Sequence, residues 1–212
     1  MPSWLDRLER RAGFLAIPGL AVFLAGMNAA VAVLSQLKPE FPFMLGLDPD
    51  LLRQGQVWRA LTFLFVPPPM SLLWLFFWLL LFYAYASRLE QAWGDFKFTI
   101  FCLVGAVGTV AASLICGRPF PNTVFQTSLF LAFAHLYPEF EILLFFVVPV
   151  RMRWLGLLAW LGILAAFILG GFSDRVYYAL GLCNFFLFFG SDLRTKGGML
   201  MHRFRHRGKR WR

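Results

Sequence analysis

Charge is what this chain has least of. Only 15% of its 212 residues are Asp, Glu, Lys or Arg, against 59% hydrophobic, and the mean hydropathy is +0.67. A soluble domain of this length does not carry 26 Phe and 8 Trp with so few charges. Histidine and cysteine are also rare, three of each. Cys102, Cys116 and Cys183 are scattered without metal-ligand spacing and read as small apolar packing residues, so no metal or cofactor is expected. A short signal-like segment is missing too. The first apolar run, Phe14 to Leu37, has 24 residues, too many for a signal core, and no A-x-A site follows a shorter run. It reads as a first transmembrane helix.

What is present is basic and apolar. The net charge is +9. The basic residues stand in short loops and tails beside apolar runs, which is the pattern of membrane topology. Nucleic acid is therefore not an expected partner. A spanning helix needs about 20 apolar residues. The runs predict an all-α, polytopic bundle with six spans near 14–36, 70–87, 97–116, 122–137, 153–171 and 175–190. Residues 1–13 are an N-terminal tail, 14–190 one membrane domain and 191–212 a basic C-terminal tail. Pro67–Pro68–Pro69 cannot sit inside a helix, so 38–69 is a long first loop that partly enters the membrane interface. Its Trp58 and Phe63–Leu64–Phe65 suit the headgroup zone. The fourth span, between Pro121 and Pro138, covers roughly 24 Å against a hydrocarbon core of about 30 Å. A span that short sits behind other helices or thins the bilayer. Residues 142–150 are too few to span and predict an apolar connector along the interface, ended by Pro149. The flanking Glu139, Glu141, Arg151 and Arg153 either pair or remain solvated.

Small residues four apart predict close helix packing. They are Ala21–Ala25–Ala29, Gly105–Thr109–Ser113, Gly108–Ala112–Cys116 and Gly162–Ala166–Gly170. The Phe-rich stretches Phe76–Phe77 and Phe185–Phe186 are then expected to face lipid.

Ionised residues at the mouths of apolar runs are costly unless something holds them. Two are conspicuous: Arg59 in Gln56–Val57–Trp58–Arg59–Ala60–Leu61–Thr62, and Glu90 in Leu89–Glu90, followed by Gly94 and Phe98. With the Val-Pro-Val-Arg-Met-Arg-Trp-Leu segment at 148–155 and the order of spans, these motifs resemble the rhomboid superfamily from about residue 14 to 190. The resemblance implies a rhomboid-like six-helix fold in which Trp58, Arg59, Glu90 and Gly94 are scaffold residues. Arg59 would bond interfacial carbonyls and phosphates, and Glu90 would clamp the second span to the third by accepting from backbone or from Arg88.

The chemistry of active rhomboids is not carried over. Their Gly-x-Ser-Gly at the fourth span corresponds here to Pro121–Asn122–Thr123–Val124–Phe125–Gln126–Thr127–Ser128. The sixth span has Ala179–Leu180–Gly181 where a His is expected, and residues 71–82 contain neither His nor Asn. His135 lies seven residues after Ser128 on the same helix, about 10.5 Å along the axis, too far for a dyad. The resemblance therefore implies a catalytically inactive pseudoprotease, similar to the derlin branch, that binds transmembrane client segments and locally perturbs the bilayer. Asn28, Gln126, Thr127 and Asn184 are polar inside the bundle. They read either as interhelical glue or, for Gln126 and Asn184, as the lining of a client groove. The rival readings are a divergent intramembrane serine protease using Ser128 or Thr127, and a small transporter or structural bundle. The transporter reading lacks mid-membrane charge and inverted repeats.

The C-terminal tail alternates base and hydrophobe. Arg203, Arg205, Arg207, Lys209 and Arg210 are candidate contacts for anionic lipid headgroups. With six spans, fifteen basic residues fall on the side of both tails and five on the other. Both termini are thus expected in the cytoplasm, for a multi-pass protein of a cell, inner or organelle membrane. An impermeant label applied from the cytoplasmic side should reach tags at both ends; tags reached from opposite sides would mean an odd number of spans.

Overall fold

The computed structural model describes residues 3–144 and 148–190. In chain order it has α1 (Ser3–Ala12), α2 (Leu20–Leu37), three short helices α3 (Phe41–Leu45), α4 (Pro49–Arg53) and α5 (Arg59–Thr62), then α6 (Leu72–Trp93), α7 (Asp95–Cys116) and α8 (Thr123–Leu136). A two-stranded hairpin comes next, β1 (Glu141–Leu144) and β2 (Val148–Arg151), then α9 (Met152–Leu169) and α10 (Phe172–Gly181). Residues 183–190 are helical again and are labelled α11. Leu182 donates to Tyr178 O and Phe186 to Leu182 O, so the backbone pattern carries across the break.

The expected all-α membrane bundle is what forms. Four helices, α2, α6, α7 and α9, are long and apolar enough to cross a membrane. The apolar α8 is shorter, at 14 residues. The first long helix starts at Leu20 rather than at residue 14, because Pro18 and Gly19 interrupt the run and Gly13–Leu15 is a separate 3-10 turn. Residues read as a tail form α1, whose Leu5 is fully buried in the core.

Helix α7 is the axis. In its apolar window 61% of residues are buried, against 17–28% in the other three long helices. It packs against α6, α8 and α10 and touches the first loop through α4 and α5. Its small residues make this possible: Gly105, Ala106, Gly108, Thr109, Ala112 and Ser113 are all buried. A Cβ on Gly108 would lie 2.1 Å from the Leu180 carbonyl oxygen, so the α7 and α10 backbones are in contact there. Gly94 joins α6 to α7 with φ 81° and ψ 160°, a conformation closed to residues with a Cβ although nothing crowds the site.

Three expectations change. The packing face of α9 is Met152, Gly156 and Ile163, with Gly156 against Ala134, whereas Gly162 is exposed with open space around it. Four-residue spacing identifies a face but not which way it looks. Phe185 is 1% exposed, while its neighbour Phe186 is 48% exposed. Residues 185, 188 and 189 form an aromatic cluster with Trp93 and Phe101, while Phe186 and Leu187 turn outward. The segment expected as an apolar connector takes the form of an antiparallel hairpin, with Glu141 opposite Arg151 and Pro149 inside β2 rather than ending it. The flanking charges do pair: Arg151 with Glu139 (3.2 Å) and Glu141 (3.1 Å), and Arg153 with Glu139 (3.0 Å). These pairs are exposed and add little stability individually. The hairpin is pinned to the bundle by Phe140, which stacks edge-on to Phe133 and under Arg88.

The two glycines give opposite expectations. Gly108→Ala should destabilise the protein by about 1–3 kcal/mol by forcing α7 and α10 apart. Gly162→Ala should be neutral or stabilising, since Ala is favoured over Gly in a helix by up to about 1 kcal/mol. Thermal melts of the two variants in detergent check both.

Candidate functional site

The first loop is held by side chains, not by a ladder of its own. Arg59 opens α5 and is only 7% exposed. Its Nη1 donates to Phe43 O and Gly46 O, both at 2.8 Å, and its Nε to Gln56 Oε1 at 2.7 Å. Thr62, one turn on, donates to Leu45 O at 2.9 Å. Arg59 therefore satisfies carbonyls left open at the end of α3, with a guanidinium whose fixed fork suits several acceptors at once. Trp58 beside it is 53% exposed. The second half of the loop is held from elsewhere. Asn122 Nδ2 lies 2.9–3.1 Å from Phe63 O, Leu64 O and Val66 O. Asn28 Nδ2 donates to Leu24 O and Leu64 O. Asn122 stands immediately before α8, yet its side chain caps nothing in that helix. Its position in the sequence does not reveal this role, because an Asn before a helix is ordinarily an N-cap.

Glu90 is 8% exposed near the end of α6. Both carboxylate oxygens lie 3.4 Å from the Ala21 backbone nitrogen, long contacts at the first turn of α2. The clamp expected between the second and third spans thus joins the second to the first. Its physical basis is the set of unpaired N–H groups and the positive dipole end where α2 begins. Arg88, the other expected partner, stacks on Phe140 instead.

Ser128, at the end of the 121–128 stretch, belongs to a closed polar knot. Ser128 on α8 and Asn184 on α11 are both 0% exposed. Asn184 Nδ2 donates to Ser128 Oγ at 2.9 Å and to Phe101 O at 3.3 Å. The Ser128 hydroxyl donates to Phe125 O at 2.7 Å. Asn184 Oδ1 accepts from the Phe185 N–H. Gly105 makes room: a Cβ there would lie 2.6 Å from Asn184 Nδ2 and 2.9 Å from the Phe125 ring. Thr127 points away and donates to Thr123 O. His135 packs against the rings of Phe185 and Phe189 at the far end of α8.

Gln126 and Asn184, the candidate groove residues, are both buried and differ in kind. Asn184 is satisfied within the knot and faces no open groove in this conformation. Gln126 is 7% exposed and among the described residues its Nε2 has no hydrogen-bond partner. An amide donor left so in an apolar bundle costs about 1–3 kcal/mol. Helices α6 and α9 each pack on α8. Among the described residues no three His, Cys, Asp or Glu side chains come together as a metal site requires. The tail candidates Arg203, Arg205, Arg207, Lys209 and Arg210 lie outside the described residues.

Cutting the loop's anchors should cost stability. Arg59→Ala and Asn122→Ala are each expected to destabilise by about 1–3 kcal/mol, because part-buried carbonyls of Phe43 and Gly46 or buried ones of Phe63 and Leu64 lose their donors. Arg59→Lys should not restore the loss, since an ammonium cannot span the same three acceptors. Melting temperature in detergent, with size-exclusion profiles, measures this.

Residues 18–118 match the model of a family described as eukaryotic integral membrane protein (DUF1751). The match covers α2, the first loop, α6 and α7, the part of the chain that holds Arg59, Glu90 and Gly94. No curated protein matches the chain. The apolar helices and this match together make the chain a multi-pass integral membrane protein, similar over just under half its length to that family.

Proposed function

We propose that this protein is a rhomboid-like member of the pseudoprotease kind, with six spans and both termini in the cytoplasm, which binds transmembrane segments of client proteins without cutting them. The observation that carries this reading is the state of Ser128. A nucleophilic serine needs a base within hydrogen-bond reach and access for substrate. The Ser128 hydroxyl has neither: it is fully buried, donates to a main-chain carbonyl, and receives an amide where a protease would place an imidazole. A carboxamide cannot take the hydroxyl proton.

Client binding is supported by two further features. The short α8, about 21 Å long by its 14 residues, is flanked by α6 and α9. Nine of its fourteen residues are buried, so a helix that short is shielded mainly by its neighbours and would thin the bilayer only where its remaining face meets lipid. Gln126 on the same helix carries a buried donor without a partner among the described residues, and a client segment with an exposed carbonyl or a polar side chain would satisfy it where the helices around α8 part to admit it. The scaffold roles of Arg59, Glu90 and Gly94 belong to the same reading: they hold the first loop and the first two long helices around α7, while the half-exposed Trp58 is left to anchor the loop at the interface.

The reading is tested with protein reconstituted in liposomes and two single-span peptides, one all-leucine and one with a central Asn. The Asn peptide should bind more tightly, stay intact, and lose its advantage in Gln126→Leu. Cleavage of either peptide that disappears in Ser128→Ala, or labelling of α8 by a fluorophosphonate, would establish the divergent protease instead.

A further inference from the structure

Helix α1 divides its charges into two sets. Towards α7, Lys97 Nζ meets Asp6 Oδ1 at 2.7 Å and Glu9 Oε2 at 3.9 Å. The Lys97 hydrogen bond and charge hold the Asp6 carboxyl below its usual range, so Asp6 stays ionised near neutrality. Leu5 is fully buried and Leu8 packs against the core. The acids and the apolar face of α1 are thereby both engaged. Arg7, Arg10 and Arg11 stand outside these ion pairs, although the Arg10 charge also acts on Asp6 one turn away. Their spacing of three and four puts them on one face, and all three are exposed. Among the described residues none of them comes within 4 Å of a carboxylate. With Leu8 they line one open cleft.

The neighbouring residues mark the level of this cleft in the membrane. Three residues after Arg11 the chain turns apolar and exposed, with Phe14 84%, Leu15 41% and Ile17 48% exposed. Helix α2, long enough to span, begins at Leu20. An arginine cluster directly before exposed aromatic and aliphatic side chains is the chemistry of the boundary between headgroup and hydrocarbon.

We propose that Arg7, Arg10 and Arg11 form a binding site for the phosphate of an anionic phospholipid, whose acyl chains lie along Phe14, Leu15 and Ile17. Guanidinium groups bind phosphate in a bidentate manner, and three on one face match a phosphodiester with a further anionic or hydrogen-bonding headgroup. The adjoining apolar side chains select a lipid over a soluble phosphate. The chain's own C-terminal stretch is a poor occupant, because residues 191–212 carry eight basic residues and would be repelled. This site requires only that the chain is an integral membrane protein, and it is independent of whether the protein binds or cleaves clients.

The test uses the full chain, extracted from mixed phosphatidylglycerol and phosphatidylcholine bilayers and weighed by native mass spectrometry. Wild type should retain phosphatidylglycerol over phosphatidylcholine by at least about tenfold, on the scale of several basic contacts. The variant Arg7→Gln/Arg10→Gln/Arg11→Gln should lose that preference, and the tail variant Arg203→Gln/Arg205→Gln/Arg207→Gln should keep it. Excess inorganic phosphate should not displace the lipid. Should the α1 triple variant melt early, the single variants Arg10→Gln and Arg11→Gln replace it, each expected to lower retention several-fold at an unchanged melting temperature. Undiminished phosphatidylglycerol in the α1 variants, loss in the tail variant alone, or displacement by inorganic phosphate would each overturn the proposal.

Discussion

Main-chain carbonyls that lack both a ladder and free water must find donors, and in this protein side chains supply them. The first loop between α2 and α6 contains only short helices, whose carbonyl ends are left open. Arg59, Thr62, Asn28 and Asn122 close them, reaching the carbonyls of Phe43, Gly46, Leu45, Phe63, Leu64 and Val66. Irregular backbone packed against an apolar bundle is tolerated only when its polar groups are satisfied in this way. The donors come from the loop itself, from α2 and from the residue before α8, so the loop ties together three parts of the bundle. The triple proline then leads out of the loop with no N–H groups of its own to satisfy.

The second constraint is the closeness of α7 to its neighbours. Gly105, Gly108 and the small residues between them bring the α8 and α10–α11 chains within contact of the α7 backbone. That closeness leaves room for only small or satisfied polar groups, and Ser128 and Asn184 meet there. The same packing that makes the knot stable makes its hydroxyl unavailable.

Much of this was legible in the residues. The apolar runs located the long helices, because a run of twenty apolar residues has few alternatives. The isolated charges Arg59 and Glu90 identified themselves as held groups, because an unheld charge beside hydrocarbon is too costly. The small-residue pattern of α7 named its close-packed face correctly. The same pattern failed on α9, where Gly162 faces outward and Gly156 makes the close approach. Periodicity assigns residues to a common face but cannot say whether that face meets a helix or lipid, since both are apolar. For the same reason Phe185 and Phe186 could not be told apart, although one is core and the other surface.

The amino-acid order by itself determined that the chain enters the membrane, where its helices run and which polar side chains would need partners, because hydropathy and hydrogen-bonding capacity are properties of single residues and short segments. Who those partners are was decided only by the tertiary structure. Glu90 reaches the start of α2 across 69 positions, Asn122 reaches a loop more than fifty residues earlier, and Asn184 closes on Ser128. Such pairings depend on how the helices are arranged around α7, and helix arrangement in an apolar solvent is set by close packing, which no local pattern encodes.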